Sequence, residues 1–192
     1  MRIEQPDVAT YLGRWVTVDA TAAETIAGFL TPCRYRRGEA LFRIGDPADD
    51  IVFLTEGLVR VFQSGRGRDR NLRLLTAPSA ALPYHSYLLS TPADEALEAI
   101  TDVRGFRIRF RAYCAAHPGM MAADLQRVLA ERHFLAMQRR VRMLQAGRAE
   151  DRYRVFLEEM EPDIIRLTPA LHIASYLGIT PESLSRLRAR GR

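Results

Sequence analysis

Apolar residues near the start of the chain recur with the period of an α-helix. Val8, Tyr11, Leu12 and Trp15 share one helical face, and a second group of the same kind follows a few turns later. We therefore expect residues 1–32 to be mostly helical.

From Cys33 to about Arg111 the apolar residues form short runs, and turns that contain glycine separate these runs. The clearest predicted strands are residues 41–44, 51–55, 58–62 and 72–75, and two more are residues 96–101 and 106–110. Turns are predicted at residues 45–47, 56–57 and 64–67. Regular short strands that are joined by tight turns predict an antiparallel β-roll or barrel.

A long helical pattern follows Pro118 and covers about residues 121–144. Its apolar residues fall at heptad-like spacing and then drift around the helix; they are Leu125, Val128, Leu135, Met137, Val141 and Leu144. A helix of this length extends for roughly 35 Å, which is more than a small roll can cover. We therefore expect part of its apolar face to contact a second copy of the chain in a homodimer. Because Arg132, Arg139 and Arg142 interrupt the seam, packing on its own domain remains the alternative.

Two short helical patterns meet at Gly178, after a helix that is predicted at residues 149–160 and follows Gly147. The residues predicted to be buried are Leu171, Ala174 and Leu177 in the first pattern and Leu184 and Leu187 in the second. Gly178 suits the left-handed backbone that ends a helix, and Thr180 with Pro181 suits the start of the next one. The pattern predicts a helix-turn-helix.

The outward face of the second helix is polar, and its side chains can reach bases and phosphates. The candidate DNA-binding residues are Thr180, Glu182, Ser183, Ser185, Arg186 and Arg190. Glu182 and Arg186 are four residues apart and share a face, where Arg can bind guanine and Glu can accept from cytosine. The alternatives are a surface ion pair between these two and a helical hairpin that only closes a core.

The composition favours a polyanionic partner and excludes some chemistry. The chain of 192 residues has a net charge of +5 and a pI near 9.7. All 28 basic residues are Arg, so catalysis by Lys, including Schiff-base formation, is excluded. Cys33 and Cys114 lack the spacing of a zinc or iron–sulfur motif and are expected to be small buried residues. No apolar run has the length of a membrane span, and we expect a cytoplasmic protein without a metal or cofactor, whose effector is unknown.

Three motifs, in this order along the chain, resemble those of the Crp/Fnr family of bacterial transcription regulators. Residues 37–46 (RGEALFRIGD) and 51–60 (IVFLTEGLVR) resemble the first strands and turns of the cyclic-nucleotide-binding roll. Residues 149–157 (AEDRYRVFL) resemble the first helix of the family's DNA-binding domain, and residues 173–186 (IASYLGITPESLSR) resemble its helix-turn-helix. The similarity covers nearly the whole chain.

The resemblance implies an α+β fold in which an antiparallel β-roll (a jelly roll, or double-stranded β-helix) forms a sensor domain at residues 1–116. Residues 117–147 would form a long connecting and dimerisation helix, and residues 148–192 a small all-α helix-turn-helix domain. It also implies a homodimer that binds double-stranded DNA at a near-palindromic operator, with RNA polymerase as a further partner.

The sequence departs from the family pattern where relatives hold a cyclic nucleotide. Those relatives have a Gly-Glu pair for the ribose and an Arg followed by Ser or Thr for the phosphate. This sequence has Pro83-Tyr84 and Ala93-Asp94 at the matching positions. A phosphate would meet a carboxylate there instead of a guanidinium. We therefore expect that the protein does not bind cyclic AMP or cyclic GMP by the usual contacts.

The second departure concerns the β-hairpin wing that many relatives have after the recognition helix. This sequence ends at Arg192, so a short form without the wing is expected. Arg188, Arg190 and Arg192 are the candidates to replace the wing's phosphate contacts. With fewer such contacts, DNA binding is expected to be weaker and more sensitive to salt.

Two functions remain open at this point. The first is a homodimeric, sequence-specific transcription regulator; the alternative is a ligand-binding or protein-interaction module that has lost DNA binding. Tyr84, His85 and Ser86 are candidates to line a small-molecule pocket or to pack the roll, and His85 is also the one histidine placed to ligate a haem. Glu95 and Glu98 with His85 suggest acid–base chemistry, but no motif supports an enzyme.

Overall fold

The computed structural model describes residues 8–65 and 67–190, which form two β-sheets with helices packed around them. The N-terminal segment contains the helices α1 (Val8–Leu12) and α2 (Ala20–Ala27), in agreement with the helical prediction over these residues. Tyr11, Leu12 and Trp15 are buried, as their spacing predicts. The rest of that prediction, residues 1–7 and the side chain of Val8, lies outside the described residues.

The β-roll consists of two four-stranded antiparallel sheets. The strands β1 (Thr31–Tyr35), β3 (Ile51–Glu56), β6 (Ser79–Ala81) and β8 (Val103–Ile108) form one sheet in the order β1–β8–β3–β6. The strands β2 (Ala40–Phe42), β4 (Leu58–Ser64), β5 (Asp69–Thr76) and β7 (Ala96–Ala99) form the other in the order β2–β7–β4–β5. β5 is therefore an edge strand, one side of which has no neighbouring strand among the described residues.

All six predicted strands are present with shifted bounds, but the chain contains two that the pattern did not indicate. β1 is exposed or half-exposed along its whole length, and β6 has three residues, so neither shows an apolar alternation. The prediction of a strand at residues 106–110 is wrong at its end, because Phe110 begins a helix. Arg66, in the predicted turn at residues 64–67, lies outside the described residues.

An apolar core lies between the two sheets. It includes Val52, Leu54, Val59, Val61 and Leu97, each with 0% of its surface exposed. Burying one such side chain contributes about 1.5–3 kcal/mol, so this cluster holds the sheets together.

Three further helices follow strands of the roll or connect the roll to the C-terminal helices. They are α3 (Tyr84–Leu89), α4 (Phe110–Ala116) and α5 (Met120–Gln145). The pattern did not indicate α3 or α4, which have six and seven residues and are too short to show a helical period. The long helix α5 confirms the prediction for residues 121–144 and extends it by one residue at each end.

The apolar residues of α5 belong to different faces and not to one seam. Leu125 and Leu129 pack into the same cluster as Trp15, and Met143 packs into a cluster with the C-terminal helices. Leu135, which the predicted heptad pattern joined to Leu125, is 61% exposed. The drift of the pattern around the helix therefore reflects two separate contact surfaces.

The C-terminal helices are α6 (Ala149–Glu159), α7 (Pro162–Leu167), α8 (Ala170–Leu177) and α9 (Pro181–Arg190). Gly147, with φ +68°, separates α5 from α6 as predicted. Pro162, which follows the helix predicted at residues 149–160, starts α7, where a missing amide hydrogen costs nothing. With these helices the α+β class with an antiparallel β-roll is confirmed.

The prediction that Leu171 is buried is wrong, since this side chain is 58% exposed. α8 begins at Ala170, and it buries Ala174 and Leu177 as predicted, together with Ile173. Leu171 lies in the first turn of the helix, on the side away from that core.

Candidate nucleic-acid interface

The turn between α8 and α9 has the geometry that the residues predict. Gly178 has φ +65° and ψ +35°, in the left-handed region that an L side chain rarely adopts. The amide of Ile179 donates to the carbonyl of Ala174 at 3.0 Å and closes the end of α8. Thr180 Oγ1 accepts from the amide of Ser183 at 3.2 Å, so Thr180 caps α9 as predicted.

α9 has one apolar side and one polar side. Leu184 is fully buried and belongs to the same core cluster as Ala174 and Leu177 of α8. Leu187, which was also predicted to be buried, is half-buried. This packing fixes which side of α9 remains exposed.

The predicted DNA-contact residues lie along the polar side. Five of the six are exposed and one, Ser183, is half-buried; the exposed ones are Thr180, Glu182, Ser185, Arg186 and Arg190. Arg188, a predicted phosphate contact, is half-buried. Arg192, another, lies outside the described residues.

The charged side chains of this face are not tied to each other. Among the described residues, Glu182 and Arg186 form no ion pair, and neither does Arg190. The pKa of Glu182 is lowered by its own backbone amide, by the Thr180 hydroxyl and, through space, by Arg68 and Arg186. Glu182 is therefore an ionised acceptor at neutral pH, as a contact to a cytosine amino group requires.

The helix-turn-helix is attached to the roll along the edge strand β5. The amide of Asn71 donates to Ser175 Oγ at 3.0 Å, and Ser175 Oγ donates to the carbonyl of Asp69 at 2.8 Å. The side-chain amide of Asn71 donates to the carbonyl of His172 at 2.9 Å. Asn71 has no exposed surface, so these bonds are shielded from water. Helix α8 thus takes the place of a neighbouring strand at this edge.

Apolar side chains also join the helix-turn-helix to the roll. Leu58 and Leu74 of the roll share one cluster with Ile173 of α8, Phe156 of α6 and Met143 of α5. The helix-turn-helix is therefore held against the roll by a continuous core as well as by hydrogen bonds.

A buried arginine supports the roll side of this contact. Arg60 donates to both carboxylate oxygens of Glu98, at 2.9 and 3.1 Å, and to Asp69 at 3.1 Å. Its guanidinium lies 3.8 Å from the centre of the Phe62 ring, and its side chain is 8% exposed. Sequence reasoning missed this contact region. Asn71, a residue type that strands disfavour, stands directly before a predicted strand and was the available signal.

The three pocket candidates on α3 have different surroundings. Tyr84 is buried and stacks on His133 of α5 at 4.3 Å between ring centres. Ser86 Oγ is buried and donates to Asp94 at 2.7 Å, which ties α3 to the chain before β7. His85 is exposed, and its Nδ1 lies 3.0 Å from Asp94 Oδ2.

An ion pair occupies the space next to Tyr84. Arg73 reaches from β5 to the carboxylate of Glu95 and donates to the carbonyl of Leu82 at 3.0 Å. The carboxylate of Glu95 also accepts from the amide of Tyr84 at 3.2 Å. Burial, Arg73 and His85 lower the pKa of His133 to about 4, so His133 is neutral at physiological pH. These groups satisfy one another's hydrogen bonds.

A cavity of about 280 Å³ lies where the roll, α5 and the C-terminal helices meet. Its walls include Ser79 of the roll, Arg132 and Leu135 of α5, Ile164 of α7 and Tyr176 of α8. None of the pocket candidates on α3 lines it.

The remaining chemistry-bearing residues show no assembled reactive site. Both cysteines are partly buried without a disulfide, and burial raises the pKa of the Cys33 thiol to about 11. In the described ranges no group of His, Cys, Asp and Glu has a metal-binding arrangement. No helix in the part of the chain that the structure describes could span a membrane.

Comparisons with known proteins agree with this architecture. Residues 32–113, which cover most of the roll, match the family of cyclic nucleotide-binding domains. A search of the curated proteins found no match.

Solved structures match a much larger part of the chain. FixK2 from Bradyrhizobium japonicum has 23% sequence identity, a TM-score of 0.69 and coverage of 84% of this chain and 83% of its own. The c-di-GMP responsive global regulator CLP from Xanthomonas campestris has 18% identity, a TM-score of 0.69 and coverage of 90% and 93%. A Crp/Fnr-family protein from Eubacterium rectale has 18% identity, a TM-score of 0.71 and coverage of 94% and 87%.

The matches concern the roll and the whole chain separately. Over residues 32–113 the roll is similar to the family of cyclic nucleotide-binding domains. The chain as a whole has the fold of the Crp/Fnr transcription regulators, and the resemblance that the sequence motifs indicate is confirmed.

Proposed function

We propose that the protein is a homodimeric, sequence-specific DNA-binding transcription regulator that acts in the bacterial cytoplasm. The observation that carries the proposal is the polar side of α9. Glu182, Arg186 and Arg190 are exposed and form no ion pair with a described residue, while Leu184 on the other side is buried. Glu182 and Arg186 lie on one accessible face, where both side chains are free to contact base edges.

Binding to selected DNA tests this function. A duplex is first selected from random DNA with the purified protein, and binding of the protein and of Arg186→Ala is then compared by fluorescence anisotropy. The loss of one bidentate base contact costs about 1–3 kcal/mol, so the variant should bind the selected duplex roughly tenfold or more weakly. Arg34→Ala removes an exposed arginine from β1 in the other sheet and serves as the control. If no duplex is enriched, or if both variants bind like the parent, the module without DNA binding is the better interpretation.

The exposed side of α5 supports the homodimer. Phe134, Met137, Val141 and Leu144 follow the 3-4-3 spacing of a coiled-coil seam, and Met120 begins the same stripe two heptads earlier. Phe134 is 59% exposed, Val141 48% and Met120 83%. Apolar side chains at such spacing on a long helix need a partner surface. A second copy, aligned along the same helix, provides it and presents two α9 helices to successive major grooves.

The oligomeric state tests this part separately. Phe134→Glu with Val141→Glu places charges in the seam and should convert a dimer to a monomer in light scattering after gel filtration. Gln138→Glu, at an exposed position outside the stripe, should leave the dimer intact. A monomeric parent protein would contradict the proposal.

We also infer that the roll does not bind cyclic AMP or cyclic GMP by the contacts that the family uses. By the family resemblance, Ala93-Asp94 stands at the position of the phosphate-binding Arg and Ser or Thr, and the carboxylate of Asp94 accepts from Ser86. The Arg73–Glu95 pair and the Tyr84–His133 stack lie in the same part of the roll. Isothermal titration of the protein with each nucleotide should give no heat of binding in the micromolar range. A measurable micromolar affinity would refute the inference.

A further inference from the structure

The hairpin between β4 and β5 is bonded to α8, the helix that directly precedes α9. Asp69, the first residue of β5, accepts from Ser175 of α8 at 2.8 Å through its carbonyl. Asn71, two residues further on, bonds to α8 at two more points, at 3.0 and 2.9 Å. The tip of the hairpin therefore has a fixed position relative to α8, and through the shared core relative to α9.

Arg68 lies at this tip, one residue before the contact with Ser175. Its side chain is exposed, and among the described residues it forms no ion pair. It is close enough to the first turn of α9 for its charge to act on Glu182. An exposed arginine without a carboxylate partner, beside the helix that would enter a major groove, is placed to bind a backbone phosphate.

Arg70 lies in the same hairpin, but its side chain points to a different side of the roll. Asp69 faces Arg60 on the side of the roll that carries the helix-turn-helix, and side chains alternate along a strand. Arg70 therefore points to the opposite side, although it is also exposed and also forms no ion pair in the described part of the chain. Arg68 lies in the bend before β5, where this alternation does not apply. The hairpin thus contains a candidate contact and a second exposed arginine that serves as its comparison.

We propose that the β4–β5 hairpin of the roll is a second DNA-contact element and that Arg68 binds a phosphate next to the bases that α9 reads. The proposal rests on the DNA-binding function proposed above. In the dimer it adds one phosphate contact for each protomer, from the domain that would otherwise only sense or scaffold.

The test measures binding of the full-length protein to the selected duplex and to a random duplex of the same length, over a range of salt concentrations. Arg68→Ala should weaken binding to both duplexes by a similar factor, about tenfold at physiological salt. The slope of log affinity against log salt should fall by about 0.9 for each phosphate that the variant no longer neutralises, or nearly 2 for the dimer. Arg70→Ala should match the parent protein on both duplexes.

Three outcomes overturn the proposal. In the first, Arg68→Ala binds both duplexes within about twofold of the parent with the same salt slope. In the second, Arg68→Ala loses only the preference for the selected duplex, which would mean that Arg68 positions Glu182 and contacts no phosphate. In the third, Arg70→Ala weakens binding as much as Arg68→Ala, which would mean that the effect comes from the net positive charge and not from the position of Arg68. A parent protein that binds no duplex is a different result, since it refutes the proposed function itself.

Discussion

The buried arginines of the roll and the exposed arginines near α9 differ in what surrounds them. Arg60 and Arg73 are 8% and 7% exposed in their side chains, and each is neutralised by carboxylates. Arg68, Arg186 and Arg190 are exposed and form no ion pair with a described residue. The same residue type thus organises the core in one region and leaves its charge available in the other. A net charge of +5 does not reveal this division, because it counts both kinds alike.

The comparison predicts the largest loss of stability when the buried ion pair between Arg73 and Glu95 is broken. Glu95→Ala leaves the guanidinium of Arg73 buried without its carboxylate and removes the acceptor for the Tyr84 amide. We expect the free energy of unfolding to fall by about 3–5 kcal/mol, as measured by urea denaturation. Asp49→Ala removes the partner of the half-exposed Arg111 and should cost less than about 1 kcal/mol. Equal losses of stability in the two variants would contradict the distinction between buried and exposed arginines.

The next effect concerns the contact between the two regions. Asn71→Ala removes the side-chain amide that donates to the carbonyl of His172 and accepts from the guanidinium of Arg60, so that each of these groups loses one hydrogen bond. We expect a loss of about 1–3 kcal/mol in the free energy of unfolding. Asn71→Ala should also loosen the hairpin, so that amide exchange at Ser175 and its neighbours becomes faster. Unchanged exchange there would show that apolar packing alone holds the helix-turn-helix on the roll.

A smaller effect depends on pH and concerns His133, which faces Arg73. The pKa of His133 is lowered from 6.5 to about 4, mainly by burial and next by the charge of Arg73. Between these two values the unfolded chain binds a proton that the folded protein does not bind. The stability contribution is therefore present above about pH 6.5 and is lost as the pH falls towards 4. The melting temperature should fall over this range, and His133→Gln should reduce the fall; an unchanged profile in the variant would exclude His133 as its source.

The smallest effect on stability is expected at the recognition helix. Arg186→Ala and Arg190→Ala remove exposed charges that have no ionic partner among the described residues. Each should change the free energy of unfolding by less than about 0.5 kcal/mol. The same variants should nevertheless weaken DNA binding, so that the affinity for DNA falls while the free energy of unfolding is almost unchanged. A large loss of stability in either variant would mean that these arginines pack against the fold.

The sequence predicted the elements whose chemistry is local. Gly178, Thr180 and Pro181 specify the turn and the start of α9 within four residues, and their bonds form as their types require. The six apolar runs became strands because alternation and glycine turns act over short distances. Short elements such as β6 and α3 were missed because they contain too few residues to show a period.

The candidate site could be predicted only in part. The polar side of α9 follows from helical spacing, so Glu182 and Arg186 were identifiable. Arg68 was not, because its place near α9 depends on the hydrogen bond between Asp69 and Ser175, which are 106 residues apart.

The sequence by itself determined the order of roll, long helix and helix-turn-helix, and the side of α9 that faces outward. Periodicity and turn chemistry suffice for this, since they act between residues a few positions apart. Only the tertiary structure decided which arginines are neutralised and which face of α5 stays exposed. It also decided that the edge of β5 carries α8. These features depend on which side chains meet across more than 100 residues, as Asn71 and His172 do, and charge or apolar character alone does not specify such a partner.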